Sequence, residues 1–97
     1  MKAIYPGSFD PVHNGHLDLI NRASDLFEHL TVAVYDEPNK NVLFTPSERV
    51  NLILESIPPH NKNVDVVSFS GLAVEFAESL GAKFILRGLR AGFDFEL

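Results

Sequence analysis

The 97-residue sequence contains no cysteine, no tryptophan and a single methionine. The lack of cysteine excludes disulfides, thiol nucleophiles and thiolate metal sites. Basic residues are also few: 8 lysines and arginines stand against 13 aspartates and glutamates, which gives a net charge of −5. This balance argues against a nucleic-acid-binding surface, which needs clustered lysine and arginine, but it leaves room for a site that binds a small anion.

Long hydrophobic runs are lacking too. Hydrophobic residues make up 45% of the chain, yet the longest apolar runs have only the length of strands. We therefore expect no contact with a membrane. Met1 and Lys2 lead directly into a strand, and nothing before that strand resembles a signal peptide. These features predict a cytoplasmic protein with a single domain that covers residues 1–97.

The most informative stretch runs from Tyr5 to His16, between a short apolar strand and an amphipathic helix. A strand, a turn of small residues and a helix start are typical of an anion-binding cradle. The first amides of a helix lack partners within the helix, and the helix dipole is positive at that end. Gly7 and Gly15 have no Cβ, so we expect a ligand to approach the main chain at these positions.

Two histidines stand at the start of this helix. His13 and His16 are three residues apart, so a helical turn places both on one side. One alternative is a polar helix start without chemistry, but the pair behind a glycine turn favours a functional role. A metal site is less favoured, because the pair lacks a third ligand with suitable spacing.

The rest of the chain alternates between strands and helices. Thr45, Pro46 and Glu48 form a capping box with proline at the first helical position, while Ser70 is predicted to cap a later helix that stops at Gly81. The predicted strands are Lys2–Tyr5, Leu30–Tyr35, Val64–Phe69 and Lys83–Leu86. The first predicted helix spans Asn14–His29. This order predicts an α/β fold with a parallel sheet, right-handed crossovers and helices on both faces.

The carboxyl ends of parallel strands meet at one edge of the sheet, where ligands bind in such folds. Four side chains in segments that follow strand ends are expected to gather there: Ser8, His16, Lys40 and Arg87. A solvated loop lysine is the alternative interpretation of Lys40. Cations without a paired nucleophile and base are typical of a phosphate site.

At these residues the chain resembles a known family. Gly7-Ser8-Phe9-Asp10-Pro11, followed by His13-Asn14-Gly15-His16, is similar to the signature of the nucleotidylyltransferase superfamily, with its His-x-Gly-His motif. That motif alone would equally suit nicotinate mononucleotide adenylyltransferases or cytidylyltransferases. Further blocks resemble the bacterial phosphopantetheine adenylyltransferases: Lys40 with Phe44-Thr45, Glu48-Arg49, Arg87-Gly88-Leu89-Arg90 and Asp94-Phe95-Glu96.

The resemblance implies a Rossmann-like nucleotidylyltransferase fold and an adenylyltransferase activity. The enzyme would transfer AMP from ATP to 4′-phosphopantetheine, giving dephospho-coenzyme A and pyrophosphate, with Mg²⁺ accompanying the nucleotide. It also implies a homo-oligomer, with coenzyme A as a possible feedback ligand.

Site residues follow from the same resemblance. His16 would be the catalytic residue and would stabilise charge at phosphorus. ATP would contact Ser8, Phe9, His16, Gly88, Leu89 and Arg90. Phosphopantetheine would contact Ser8, Lys40, Ala73 and Arg87. No residue is expected to ligate a metal, and Glu48-Arg49 is expected to have a structural role.

The family pattern continues Asp94-Phe95-Glu96 with Tyr-Glu, whereas here Leu97 follows. We therefore expect a domain that is incomplete at the C-terminus, with four strands present and the C-terminal strand and helices missing. The alternative function is a truncated, non-catalytic module that binds ATP, phosphopantetheine or coenzyme A without turnover.

Overall fold

A computed structural model describes residues 1–37 and 41–88. Within them the chain forms β1 (Lys2–Gly7), α1 (Asn14–Leu26), β2 (His29–Tyr35), α2 (Pro46–Ser56), β3 (Val64–Phe69), α3 (Ala73–Leu80) and β4 (Phe84–Ile85). The strands build one sheet in the order β3-β2-β1-β4, and every neighbouring pair is parallel. The predicted α/β fold with a parallel sheet is confirmed.

The order of the strands reverses at β1. The chain proceeds from β1 outward to β2 and β3, and then crosses to β4 on the other side of β1. In open parallel sheets, ligands bind outside the carboxyl ends of the strands at such a reversal. The fold therefore directs attention to the residues that follow Gly7, the last residue of β1.

Helices cover both faces of the sheet, as predicted. On one face α1 and α2 bury a single apolar cluster against β1 and β2, which includes Ala3, Tyr5, Ile20, Ala23, Leu30, Val32, Val34 and Ile53. On the other face α3 packs through Phe76, whose ring stacks on that of Phe69 with centroids 5.0 Å apart. No helix in the described part of the chain is long and apolar enough to span a bilayer.

The first helix is shorter than predicted. It ends at Leu26 rather than His29, because Phe27 takes an extended conformation after its amide bonds to the Ala23 carbonyl. From Glu28 onward the main chain pairs with other segments, beginning with the bond from the Glu28 amide to the Met1 carbonyl. Leu26, which fits the helical period of apolar residues, is 78% exposed.

The ends of α3 and β4 also differ from prediction. Ser70 does not cap α3: the N-cap residue is Leu72, which makes no side-chain capping bond. Gly81 ends the helix as predicted, and its φ of 72° is left-handed. Strand β4 contains only Phe84–Ile85, although bonds from the Lys83 and Leu86 amides to β1 carbonyls continue its pairing at both ends.

The predicted capping box of α2 is confirmed. The Glu48 amide donates to Thr45 Oγ1 at 3.1 Å, and the Thr45 amide donates to Glu48 Oε1 at 2.9 Å. Pro46 occupies the start of the helix, where its missing N–H costs nothing.

Thr45→Ala should lower the free energy of unfolding by about 1 kcal/mol, because one donor of the first turn of α2 loses its acceptor. Ser56→Ala on the same helix serves as the matched control: it also removes a hydroxyl, but from the last turn, where the hydroxyl bonds the Leu52 carbonyl. Urea denaturation measures both. Equal losses for the two variants would contradict the capping role of Thr45.

Candidate anion-binding site at the carboxyl end of β1

Three adjoining cavities surround Pro6 at the carboxyl end of β1. The largest, of about 580 Å³, is lined by Phe9, His16, Arg87 and Gly88 among others. A second, of about 260 Å³, is lined by Ser8 and Ala73. A third, of about 460 Å³, is lined by Ala73, Arg87 and Gly88. Pro6 borders all three, so the structure brings the described members of the predicted site to one edge of the sheet.

Three further predicted contacts, Lys40, Leu89 and Arg90, lie outside the described residues. Their proposed roles stay predictions, as do those of the described site residues.

The helix start that carries the two histidines is held by reciprocal hydrogen bonds. His13 is the N-cap residue, and its Nδ1 accepts from the amides of Gly15 at 3.1 Å and His16 at 3.4 Å. In return, His16 Nδ1 accepts from the His13 amide at 3.1 Å. The two rings stack with centroids 3.6 Å apart. The pair therefore builds a capping box from imidazoles.

These bonds decide which nitrogen of His16 carries the proton. A main-chain amide can only donate, so Nδ1 of His16 must be the acceptor, and in the neutral ring the proton then sits on Nε2. His16 thus has an Nε2–H available as a hydrogen-bond donor, while its other nitrogen is occupied within the helix cap.

Burial and the neighbouring His13 together lower the pKa of His16 to about 4, with burial as the larger cause. Protonation would also place a hydrogen on Nδ1 and break the bond from the His13 amide. At neutral pH the His16 ring is therefore uncharged, and its Nε2–H is a neutral donor group.

The amides of the first turn are used differently from the prediction. We expected them to meet an anion, but those of Gly15 and His16 donate to the His13 ring. The bonds to His13 thus occupy two of the amides at the positive end of the helix dipole.

The space beside two glycines is likewise partly filled by the protein itself. A Cβ on Gly7 would lie 3.0 Å from the Phe9 ring, and a Cβ on Gly15 would lie 3.0 Å from the His13 ring. The space that a Cβ would need at each glycine is therefore taken by an aromatic ring of the protein. We had expected a ligand to approach the main chain there.

Phe9 joins the turn to the core. It is buried, at 3% exposure, and its φ of 50° lies in the left-handed region that non-glycine residues rarely adopt. Its ring meets Tyr5 edge-on at 5.2 Å and His16 at 4.8 Å between centroids. This packing holds the His16 ring against the core, which accounts for part of its burial.

Tyr5 is a cavity residue that sequence reasoning missed. It lines the largest cavity, and burial raises the pKa of its phenol. A Cβ at Gly88 would lie 2.9 Å from its hydroxyl oxygen. A side chain at position 88 would therefore clash with the Tyr5 hydroxyl, which explains why glycine fits there.

Asp18 and Arg22 also line the largest cavity. The two side chains form an i, i+4 ion pair, with 3.2 Å between Arg22 Nε and Asp18 Oδ2. The missed signal was the helical period: Gly15, Asp18, Leu19 and Arg22 follow the i, i+3, i+4, i+7 pattern of one helix face.

The Glu48-Arg49 pair makes structural contacts. Glu48 completes the α2 cap, and Arg49 is buried with its guanidinium bonded to main-chain carbonyls, including that of Ser8. Asp10, which lies in the turn after β1, accepts the amides of Leu43 and Phe44. The turn that carries Ser8 is thereby tied to the segment before α2.

The described residues contain no group of three histidines, aspartates or glutamates placed to hold a metal ion. Asp18 is paired with Arg22, and the Asp10 carboxylate is occupied by two amides.

A family model described as cytidylyltransferase-like matches residues 4–97. The chain belongs to the cytidylyltransferase-like family. This assignment agrees with the parallel sheet and with the histidine pair at the start of α1.

Two curated relatives of this cytidylyltransferase-like chain are named phosphopantetheine adenylyltransferase, in agreement with the resemblance stated from the motifs. One, from Alkaliphilus metalliredigens (strain QYMF), is 53% identical over 96% of this chain and 59% of its own length. Another, from Synechococcus sp. (strain JA-3-3Ab), is 55% identical over 100% of this chain and 60% of its own length. The chain thus spans about three fifths of these relatives.

Two solved structures support the fold. The lipopolysaccharide core biosynthesis protein from Thermoplasma volcanium GSS1 has a TM-score of 0.69 at 23% identity, covering 99% of this chain and 80% of that protein. A bifunctional NMN adenylyltransferase/ADP ribose pyrophosphatase from Francisella tularensis has a TM-score of 0.56 at 20% identity, covering 81% of this chain and 24% of that protein.

An NMR titration of the histidine rings should place the pKa of His16 near 4, the value that burial and His13 impose. Long-range ¹H–¹⁵N correlations at neutral pH should place its proton on Nε2. A pKa near 6.5, or a proton on Nδ1, would contradict the capping geometry.

The same shift predicts a pH dependence of stability. Because the folded pKa lies below the ordinary 6.5, the unfolded chain takes up the proton first as the pH falls. The contribution of His16 to stability is therefore complete above pH 6.5 and is lost between about pH 6.5 and pH 4. His16→Gln, which can still complete a capping box, should weaken this part of the dependence in denaturation experiments.

Proposed function

We propose that this chain binds ATP and 4′-phosphopantetheine at the carboxyl end of β1 and transfers AMP from the first to the second. The products are dephospho-coenzyme A and pyrophosphate. The observation that carries the proposal is the placement of His16 and Arg87 in one cavity at the start of α1. The identity to relatives named phosphopantetheine adenylyltransferase supplies the substrates.

The proposed reaction is an in-line displacement at the α-phosphorus of ATP. An oxygen of the phosphopantetheine phosphate forms a new bond to this phosphorus, and the bond to the oxygen that bridges to the β-phosphorus breaks. The attacking phosphate is already anionic, so the step needs no general base. Catalysis then depends on positioning and on stabilising negative charge.

The chain's own groups fit these two tasks. His16 presents a neutral Nε2–H, which donates to a phosphate oxygen without giving up its proton. Its orientation is held by the His13 amide on one side and the Phe9 ring on the other. A donor fixed in this way does not have to reorient as charge develops in the transition state. Arg87, which lines the same cavity, supplies the positive charge that His16 lacks.

The contacts proposed for each substrate follow the cavities. The cavity lined by Phe9, His16 and Gly88 is assigned to ATP, together with Leu89, Arg90 and Ser8 of the adjoining cavity. The cavities lined by Ser8, Ala73 and Arg87 are assigned to phosphopantetheine, together with Lys40. Because all of them border Pro6, the two substrates would meet beside this residue.

Mg²⁺ is proposed to enter with ATP. The carboxylates of Asp10 and Asp18 are engaged within the protein, so phosphate oxygens would be the ligands of the ion. Its chemical contribution would be to neutralise phosphate charge.

Further partners belong to the same proposal. Coenzyme A contains the phosphopantetheine unit and is therefore proposed as a feedback ligand of these cavities. ATP is a cytoplasmic nucleotide, and the cytoplasm is the proposed location.

Pyrophosphate release on mixing the 97-residue chain with Mg·ATP and phosphopantetheine tests the activity. His16→Ala should lower the rate by a factor on the order of 10²–10³, the usual effect of removing one preorganised donor. A variant with the wild-type rate would exclude His16 from this role. Saturable binding of both substrates without pyrophosphate would instead favour the binding module.

Two further variants separate chemistry from folding, because His16→Ala also removes half of the α1 cap. His16→Gln can retain the cap and should fold like the wild type while still losing rate. Asn63→Ala is the control for a general loss of stability. The Asn63 side chain bonds the carbonyls of Ser24 and Phe27 at 2.8 and 3.0 Å, at the amino end of the sheet, so its loss should leave the rate unchanged.

We also propose that the chain forms a homo-oligomer. Leu72 and Val74 of the α3 region are 65% and 58% exposed, and Phe84 and Ile85 of β4 are each 39% exposed. Apolar surface of this kind favours association. Light scattering at high protein concentration should report a mass above that of one chain, and a strictly monomeric species would contradict the proposal.

A further inference from the structure

Arg49 is a buried cation that connects three segments of main chain. It is only 2% exposed. Its Nε donates to the Phe44 carbonyl at 3.0 Å, and its Nη1 donates to the carbonyls of Ser8 at 2.7 Å and Tyr35 at 3.1 Å. A charge removed from water in this way must keep its hydrogen bonds, because each one lost leaves a buried donor unsatisfied.

Each of the three carbonyls lies near the end of a strand or helix, and two of them belong to residues that line a cavity. Ser8 follows the end of β1, Tyr35 is the last residue of β2, and Phe44 precedes the N-cap residue of α2. The guanidinium is a rigid, planar fork. It therefore sets the distances among these three points, which a flexible side chain would leave variable.

Asp10 adds a second connection between the same segments. Its Oδ2 accepts from the Leu43 amide at 2.6 Å, and its Oδ1 accepts from the Phe44 amide at 2.9 Å. Asp10 thus holds Leu43 and Phe44 at the turn after β1. Arg49 bonds the carbonyls of Tyr35 and Phe44.

These contacts lie on one side of the site. Ser8 and Tyr35 both line the cavity of about 260 Å³ that is assigned to phosphopantetheine. The residues that bond Arg49 or Asp10 do not line the larger cavity that contains His16 and is assigned to ATP. A change in either side chain should therefore reach the two substrates unequally.

We propose that Arg49 and Asp10 are positioning residues that set the spacing between the Ser8 turn, the end of β2 and Leu43-Phe44. Through the cavity that Ser8 and Tyr35 line, this spacing sets the affinity for phosphopantetheine. The inference rests on the proposed function for the identity of the ligand. A purely structural role in α2 does not explain the arrangement, since Thr45 and Glu48 already cap that helix.

Calorimetric titration of ATP and of phosphopantetheine separately tests the inference. Arg49→Lys keeps the charge but loses the fork, and Asp10→Asn keeps the size but has a single acceptor oxygen for two amides. Both variants should weaken phosphopantetheine binding by about tenfold, equivalent to about 1.4 kcal/mol. ATP binding should change by less than about a third of that free energy.

Asn63→Ala is the matched control here as well, because it also removes side-chain bonds to two carbonyls but at the opposite end of the sheet. It should leave both affinities unchanged. Equal weakening of the two ligands by Arg49→Lys and Asp10→Asn, or no weakening, would overturn the positioning role. Failure of the wild-type chain to bind either ligand would instead overturn the proposed function.

A measurement without ligand tests the positioning role independently of the proposed function. Amide hydrogen exchange at Leu43 and Phe44 should accelerate at least tenfold in Asp10→Asn relative to Asn63→Ala at matched global stability, because these amides lose their carboxylate acceptor. Unchanged protection at both amides would overturn the positioning role whatever the wild-type chain binds.

Discussion

The reciprocal hydrogen bonds between His13 and His16 are the contact on which the proposed chemistry depends. They satisfy the donors at the start of α1, and the same bonds hold the His16 ring and leave its proton on Nε2. The same helix cap therefore determines both the start of α1 and the tautomer of His16. A change that weakens the cap also changes the orientation and the protonation of the group proposed to stabilise phosphate charge.

Most of the fold could be predicted because its signals are local. Thr45, Pro46 and Glu48 define the start of α2 by chemistry contained within four residues, and Gly81 ends α3 for a similar reason. The end of α1 depended instead on distant contacts, since Glu28 bonds to Met1. Ser70 had the right chemistry for a cap, but the helix began later, after Leu72.

The site was predictable in its position and less so in its contacts. Topology alone placed Ser8, His16 and Arg87 at the carboxyl edge of the sheet. The sequence could not reveal that the His13 ring would occupy the amides of the first turn, or that the Phe9 ring would fill the space beside Gly7. These outcomes depend on side-chain packing in three dimensions, which a one-dimensional pattern does not contain.

Pro6 explains why the sheet can open into cavities at this point. The Ile4 carbonyl accepts from the Leu86 amide, so the main-chain polar groups of Ile4 face β4. Those of Pro6, two residues further along β1, face the same side. Strand β4 pairs only with Ala3 and Ile4, and no β4 partner stands opposite Pro6. Because proline has no N–H group, Pro6 cannot donate the next hydrogen bond of this ladder. The hydrogen-bonded ladder between β1 and β4 thus ends beside the three cavities that Pro6 borders.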